Sequence, residues 1–200
     1  MSDRYDEPTE VAEEDPPPKL DPETRARRDA ALTLIRKHGD PVLRSRALPI
    51  DRFDDTLREE VRRMGQLMHD ALGIGLAATQ LGVMHRVLVY RVETEAAIAA
   101  LVNPVIEWAS DAREPMEEGC LSLPGVLVEV ERPVYVRVRA QDERGEGMLI
   151  EASGLEARVI QHEMDHLDGV LILDRTTREQ RKEAMRMLRE AAAAPLGASA

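Results

Sequence analysis

The chain has 200 residues, 43% of them hydrophobic, which is enough for one packed domain and too little for two of ordinary size. Its formal charge of −11 is uneven: the first twenty residues hold seven acids against Arg4 and Lys19, and the rest carries −6. A moderately acidic body argues against a general nucleic-acid or DNA binder, which needs a basic face for phosphates. No stretch approaches the length of a membrane span, and Met1-Ser2-Asp3-Arg4-Tyr5 has neither the basic start nor the apolar core of a signal peptide. The expectation is a cytoplasmic protein with no membrane partner.

Residues 1–28 are charged and proline-bearing, with Pro16-Pro17-Pro18 and little apolar surface to offset the entropy of ordering. They are expected to form a disordered acidic extension, and residues 29–200 the single folded domain. Beyond it, Phe53, Leu57, Val61, Met64, Met68 and Leu72 recur at three- and four-residue steps, the period of a helix with one buried stripe, and Gly73 is read as its stop. His85 to Val92 and Val126 to Arg139 are strand-like, and Asp142-Glu143-Arg144-Gly145 reads as a hairpin turn before a returning Met148 to Ile150. A helix follows from about Leu155 to Leu167, ended by Gly169, and a charged helix from about Thr177 to Ala194. Strands clustered between helices predict an α+β fold.

The first of these two helices carries His162-Glu163-Met164-Asp165-His166, an H-E-x-x-H pattern whose imidazoles share one helix face. Glu163 is rotated about 100° from His162, where its carboxylate reaches a metal-bound water without taking a ligand position. The competing reading is a chance spacing on an ordinary helix. Val159, Ile160 and Leu167 argue for partial burial, and buried imidazoles with a buried carboxylate need a partner such as a metal.

A catalytic site needs three protein ligands and an open position. Glu183 or Glu190 would complete a zinc-peptidase arrangement, but both lie among Arg181, Lys182, Arg186 and Arg189 on a helix better read as solvated. Cys120, the lone cysteine, follows Glu118-Gly119 at a strand edge and reads as a thiolate ligand. A metal-holding module that senses redox through Cys120 is a further alternative. Glu163 speaks against it, because a structural site has no use for a base.

Gly73-Ile74-Gly75-Leu76-Ala77-Ala78 contains G-x-G-x-x-A, the pattern of a dinucleotide loop. That loop requires a strand before it and a helix after it, and here the predicted order is reversed. The physical reading that remains is a backbone lying close to a ligand.

Taken together, GIGLAATQ at 73–80, EGCLSLP at 118–124 and QHEMDHLDG at 161–169, with Gly39-Asp40-Pro41-Val42-Leu43-Arg44 before them, resemble the peptide deformylase family in order and spacing. The likeness covers roughly residues 35–175. It implies antiparallel sheets packed around a central helix that carries the metal motif, a C-terminal helix, and a catalytic domain over residues 29–200. It implies a metallohydrolase acting on a linear amide, the N-formyl group of formyl-methionyl nascent polypeptides.

Carried over residue by residue, the resemblance implies that Cys120, His162 and His166 bind one divalent metal. Fe2+ is the expected native ion, with Zn2+, Ni2+ or Co2+ able to replace it. In the implied reaction the ion activates a water, Glu163 takes its proton, and the hydroxide attacks the formyl carbon. The Gln80 amide and the Leu121 N–H hold the oxyanion, and Glu163 protonates the departing amine. Gly75 and Gly119 would flank a peptide paired as an added strand, while Ile74, Val159 and His162 line the methionine slot with Arg158 at its border.

Asp165 reads equally well as a partner of Arg132 that supports the metal ligands and as a plain surface charge. Gly125-Val126-Leu127 lacks the charged residues many family members carry there, which leaves preference beyond methionine open. Basic residues from Arg175 to Arg189 suggest ribosomal contact near the exit tunnel. The interspersed Glu179, Glu183 and Glu190 favour an ordinary solvated helix instead.

Overall fold

The computed structural model describes residues 20–193. In chain order these form α1 (Pro22–Leu34), α2 (Asp55–Asp70), β1 (Gly75–Ala77), β2 (Val87–Tyr90), β3 (Ala99–Ala109), β4 (Arg113–Cys120), β5 (Leu123–Pro133), β6 (Tyr135–Gln141), β7 (Gly147–Ser153), α3 (Gly154–Leu167) and α4 (Arg178–Ala193). Strands β1-β2-β3-β6-β7 make an antiparallel five-stranded sheet, and β4-β5 a separate hairpin. The fold is α+β, and no described helix is long and apolar enough to cross a membrane.

The first correction falls on the extension. Residues 22–28, expected to be disordered, lie in α1; Asp21 caps it, accepting from the Glu23 and Thr24 N–H groups at 3.1 and 3.0 Å, with Pro22 at its first position. Ala31 and Ile35, further along, are the buried anchors that fix this segment on the core. Residues 1–19 lie outside the described part.

Alternation along the sheet strands divides the core. Leu88, Leu101, Val136, Val138 and Ala152 face α3, meeting Ala157, Ile160, Met164 and Leu167. On the opposite face Leu76, Val87, Val89 and Val102 meet Leu57, Met64 and Met68 of α2. Each buried aliphatic side chain stabilises the fold by about 1.5–3 kcal/mol relative to exposure, so the sheet is clamped from both sides. A third cluster packs Val126, Val128 and Val130 of β5 against Leu171–Leu173 and Ala184 of α4. Helix α3 is thus held centrally, between the large sheet and the hairpin.

Three further readings are revised. The strand-like region from Val126 to Arg139 is two strands in different sheets, separated at Pro133 and Val134. Strand β3 escaped notice because its pattern is broken at Asn103-Pro104: Asn103 has φ +53, its side chain bonds the Ile50 N–H and carbonyl at 2.8 Å each, and the pairing shifts register there. Helix α2 ends at Asp70, and it is Leu72, φ +59, that turns the chain; a Cβ on Gly73 would lie 2.9 Å from Leu121 Cδ1, so that glycine makes room for a neighbour.

Candidate metal centre

One turn apart on α3, the His162 and His166 rings lie edge to face with centroids 5.0 Å apart. Cys120 closes β4 at a register irregularity between Gly119 and Cys120, which turns its side chain toward α3. Its Sγ lies 3.2 Å from His166 Nε2, and ligand atoms of Cys120, His162 and His166 fall within 4.8 Å of one another. Among the described residues this is the single cluster of three such groups. Glu183 and Glu190 are not in it: both are exposed on α4 and pair with Arg186. The zinc-peptidase ligand set is therefore not assembled. Helix-glycine-strand order around Gly73 and Gly75 likewise departs from a dinucleotide loop.

The residue that sequence reasoning missed is Glu118. Two positions before Cys120, it shares that face of β4 and is buried where Glu117 is exposed. Its Oε2 meets His162 Nδ1 at 3.0 Å, which leaves Nε2 for a ligand; the same carboxylate accepts from Arg132 at 2.6 and 2.9 Å and from Arg158 at 2.7 Å. Burial pushes the carboxyl up, and the bonds from His162 and Arg132 overcome it, bringing Glu118 down to about 2. A glutamate one strand period from a ligand was the available signal.

Arg158 now has a clear position: buried, it also donates to the Val130 and Glu114 carbonyls at 2.8 and 2.6 Å, tying α3 to the hairpin. Asp165 does meet Arg132, at 2.9 Å, and also Arg175, at 2.6 and 3.1 Å.

Cys120, His162 and Glu163 form a tightly coupled set. Burial alone would push the Cys120 thiol up, but the adjacent His166 and His162 hold it well below the usual range. Burial would pull His162 down, and its bonds to Cys120 and Glu118 drive it well above the usual imidazole range. Burial raises Glu163, opposed by both histidines. Its Oε2 is buried without a partner, and a Cβ on Gly75 would fall 2.4 Å from its Oε1. A thiolate and two imidazoles come together, and Glu163, with its partnerless oxygen, lines the cleft beside them, a set that suits a divalent transition metal with a water next to it.

A cleft of about 680 Å³ opens onto this point, and Ile74, Gly75, Gln80, Gly119, Leu121, Val159, His162 and Glu163 all line it. Gln80 is held in place: its Oε1 accepts from the Ala77 N–H at 2.9 Å and its Nε2 donates to Ser122 Oγ at 3.1 Å, with Cys120 Sγ at 3.8 Å. Strand β1, which begins at Gly75, is an edge of its sheet. Arg28 and Leu32 of α1 add a wall that the sequence pattern did not foretell, because part of that helix reads as extension.

Residues 32–182 match the Polypeptide deformylase family. A peptide deformylase of Acidothermus cellulolyticus is 47% identical over 161 residues, 80% of this chain and 88% of the relative. Among solved structures, a peptide deformylase from Synechococcus elongatus in complex with actinonin has a TM-score of 0.74 and 44% identity, covering 76% of this chain and 85% of that one. A peptide deformylase from Legionella pneumophila has a TM-score of 0.75 and 37% identity, covering 80% and 98% respectively.

Proposed function

The chain belongs to the polypeptide deformylase family, and from that premise we propose that its cleft hydrolyses the N-formyl group of formyl-methionyl peptides with Glu163 as general base. The activity is that of an amide hydrolase in protein biosynthesis, and the family is metal-dependent. The observation that carries the assignment of roles is the convergence of Cys120, His162 and His166 beside the buried, partnerless Oε2 of Glu163.

Cys120 Sγ and the two histidine Nε2 atoms would hold the ion, which supplies Lewis acidity toward water and the formyl oxygen. Glu163 takes the proton of the attacking water, and its raised pKa suits it to return that proton to the departing amine nitrogen. The Leu121 N–H and the second amide hydrogen of Gln80 donate to the formyl oxygen as it gains charge. With the C–N bond broken, formate and a free methionine terminus leave. Gly75 on the free edge of β1 and Gly119 on β4 admit the peptide backbone between them, and Ile74, Val159 and the His162 ring offer an apolar wall for methionine.

Fe2+ is the native ion in this proposal, with Zn2+, Ni2+ or Co2+ able to occupy the same donors, and metal analysis of anaerobically purified protein distinguishes them. Cytoplasmic nascent chains are the proposed partners. A ribosomal contact is not part of the proposal, because the basic side chains of α4 alternate with glutamates: Arg186 lies on Glu183 and Glu190. Formate release from a formyl-methionyl peptide, measured beside Glu163→Gln, tests the mechanism: the variant keeps its metal and loses about 10²- to 10⁴-fold in turnover. Equal rates would remove Glu163 from its role.

A further inference from the structure

The segment leaving α1 braces the cleft at three consecutive residues. The Arg36 N–H donates to the Gln80 carbonyl at 2.7 Å, and the His38 N–H to the Ser122 carbonyl at 2.9 Å. Between them the Lys37 ammonium, half-buried, donates to the Leu32 carbonyl at 2.9 Å and the Leu121 carbonyl at 3.1 Å. The Leu32 carbonyl lies in the last turn of α1, where the helix dipole favours a cation. Leu121 is the residue whose N–H the proposed mechanism aims at the formyl oxygen.

The Leu121 carbonyl also belongs to the peptide group whose other end is the Ser122 N–H, and that N–H is directed at Cys120 Sγ, 3.4 Å away. One amide therefore joins the ammonium to the sulfur. A cation on its oxygen polarises it and makes its N–H a stronger donor. Both acceptors of Lys37 are neutral carbonyls, so its field is not neutralised at its own head group and reaches the thiolate, which in turn favours the charged form of the lysine against the effect of burial.

We propose that Lys37 is a positioning residue of the metal centre: through the Leu121–Ser122 peptide group it strengthens the N–H···S contact to Cys120 and fixes the turn that aims the Leu121 N–H. The proposal rests on Cys120 being a metal ligand. Thiolate donors are tuned by such contacts, because a hydrogen bond withdraws electron density from sulfur.

The test uses the full-length protein loaded with Co2+, whose sulfur-to-metal charge-transfer absorption reports the electron density on Cys120. In Lys37→Met the band moves to lower energy, and kcat for formate release falls by about tenfold while KM changes little. Lys37→Arg, which keeps a cationic donor, restores both. Lys37→Gln keeps a donor without the charge and gives an intermediate band, and it also serves if the methionine variant does not load metal. An unshifted band in a metal-loaded Lys37→Met or Lys37→Gln protein overturns the role of Lys37. A wild-type Co2+ protein with no sulfur band overturns both this and the ligand assignment beneath it.

Discussion

Helices α3 and α4 are of similar length and both carry many charges, yet the charges do different work. On α3, Arg158, Glu163 and Asp165 are buried together with His166. Arg158 is committed to Glu118 and two carbonyls, and Asp165 lies between Arg132 and Arg175. On α4, Arg186 bonds Glu183 and Glu190 within its own helix, in water, where solvent screens each pair. The lesson is that solvent access, more than the number of charges, decides whether an ion pair builds a site. A buried charge without a partner is costly, so Arg158 and Asp165 each recruit another, and the chain of bonds reaches His162 through Glu118, whereas Glu163 keeps a partnerless oxygen.

The comparison is broken most severely by cutting that chain at its centre. Arg132 reaches both Glu118 and Asp165, so Arg132→Met leaves two buried carboxylates short of a cation. Removing one partner of a buried pair costs about 3–5 kcal/mol. The expected value lies near the lower end, because Arg158 and Arg175 remain. Denaturant unfolding of the two proteins reads it, and a change below about 1 kcal/mol would mean that α3 tolerates loss of a partner as readily as α4.

Acid probes the same network without a substitution. Glu118 sits at about 2 in the folded protein against its ordinary 4.5, despite burial, because His162 and Arg132 bond its charged form. A depressed folded value means the stabilisation is complete above pH 4.5 and is lost as the pH falls through about 2. Wild-type stability should therefore drop by a few kcal/mol across that window, at roughly 1.4 kcal/mol for each pH unit between the two values. Glu118→Gln should flatten the drop while lowering stability at neutral pH. Parallel slopes for the two proteins would show that the acid sensitivity lies elsewhere.

How much of this was legible beforehand follows the same division. Period and punctuation located α2, α3, α4 and the β6-β7 turn, because their apolar stripes and stops are local signals. The cluster of Cys120, His162 and His166 was legible because H-E-x-x-H lies on one helix and Cys120 is the lone cysteine. Strand β4 was not, since Arg-Glu-Pro-Met-Glu-Glu shows no alternation: its outer face is polar and its inner face is where Glu118 is buried as an ion. Nor was the role of Arg158, whose partners lie 28 to 44 residues away in sequence. Buried polar networks hide from pattern reading because a charged residue in the sequence looks the same whether it ends in water or in the core.

A smaller effect, on rate alone, comes from the other side of Glu163. A methyl group at position 75 would meet its carboxylate at 2.4 Å from Oε1 and 2.9 Å from Cγ. Gly75→Ala must therefore displace the Glu163 carboxylate or the edge strand. Displacing a reacting group by about 1 Å costs up to about 10²-fold in rate. The prediction is a loss of that order in kcat for formate release, with metal content and unfolding midpoint close to wild type. A variant with unchanged kcat would show that the carboxylate has another productive position, and that the close approach of β1 and α3 is packing only.

The smallest effect is expected on α4, where it matters most for the comparison. Glu183→Ala and Glu190→Ala each remove one acceptor of Arg186 and leave an exposed guanidinium that water solvates at once. Unfolding midpoint, metal content and formate release should all match wild type within error. Metal content is the decisive reading of the three. If either glutamate were a third ligand, its loss would release the ion, whereas Cys120→Ser would leave the ion in place. The proposed ligand set predicts the reverse, because the Cys120 thiol lies beside the imidazoles of the buried helix and the glutamates lie on the solvated one, paired with an arginine.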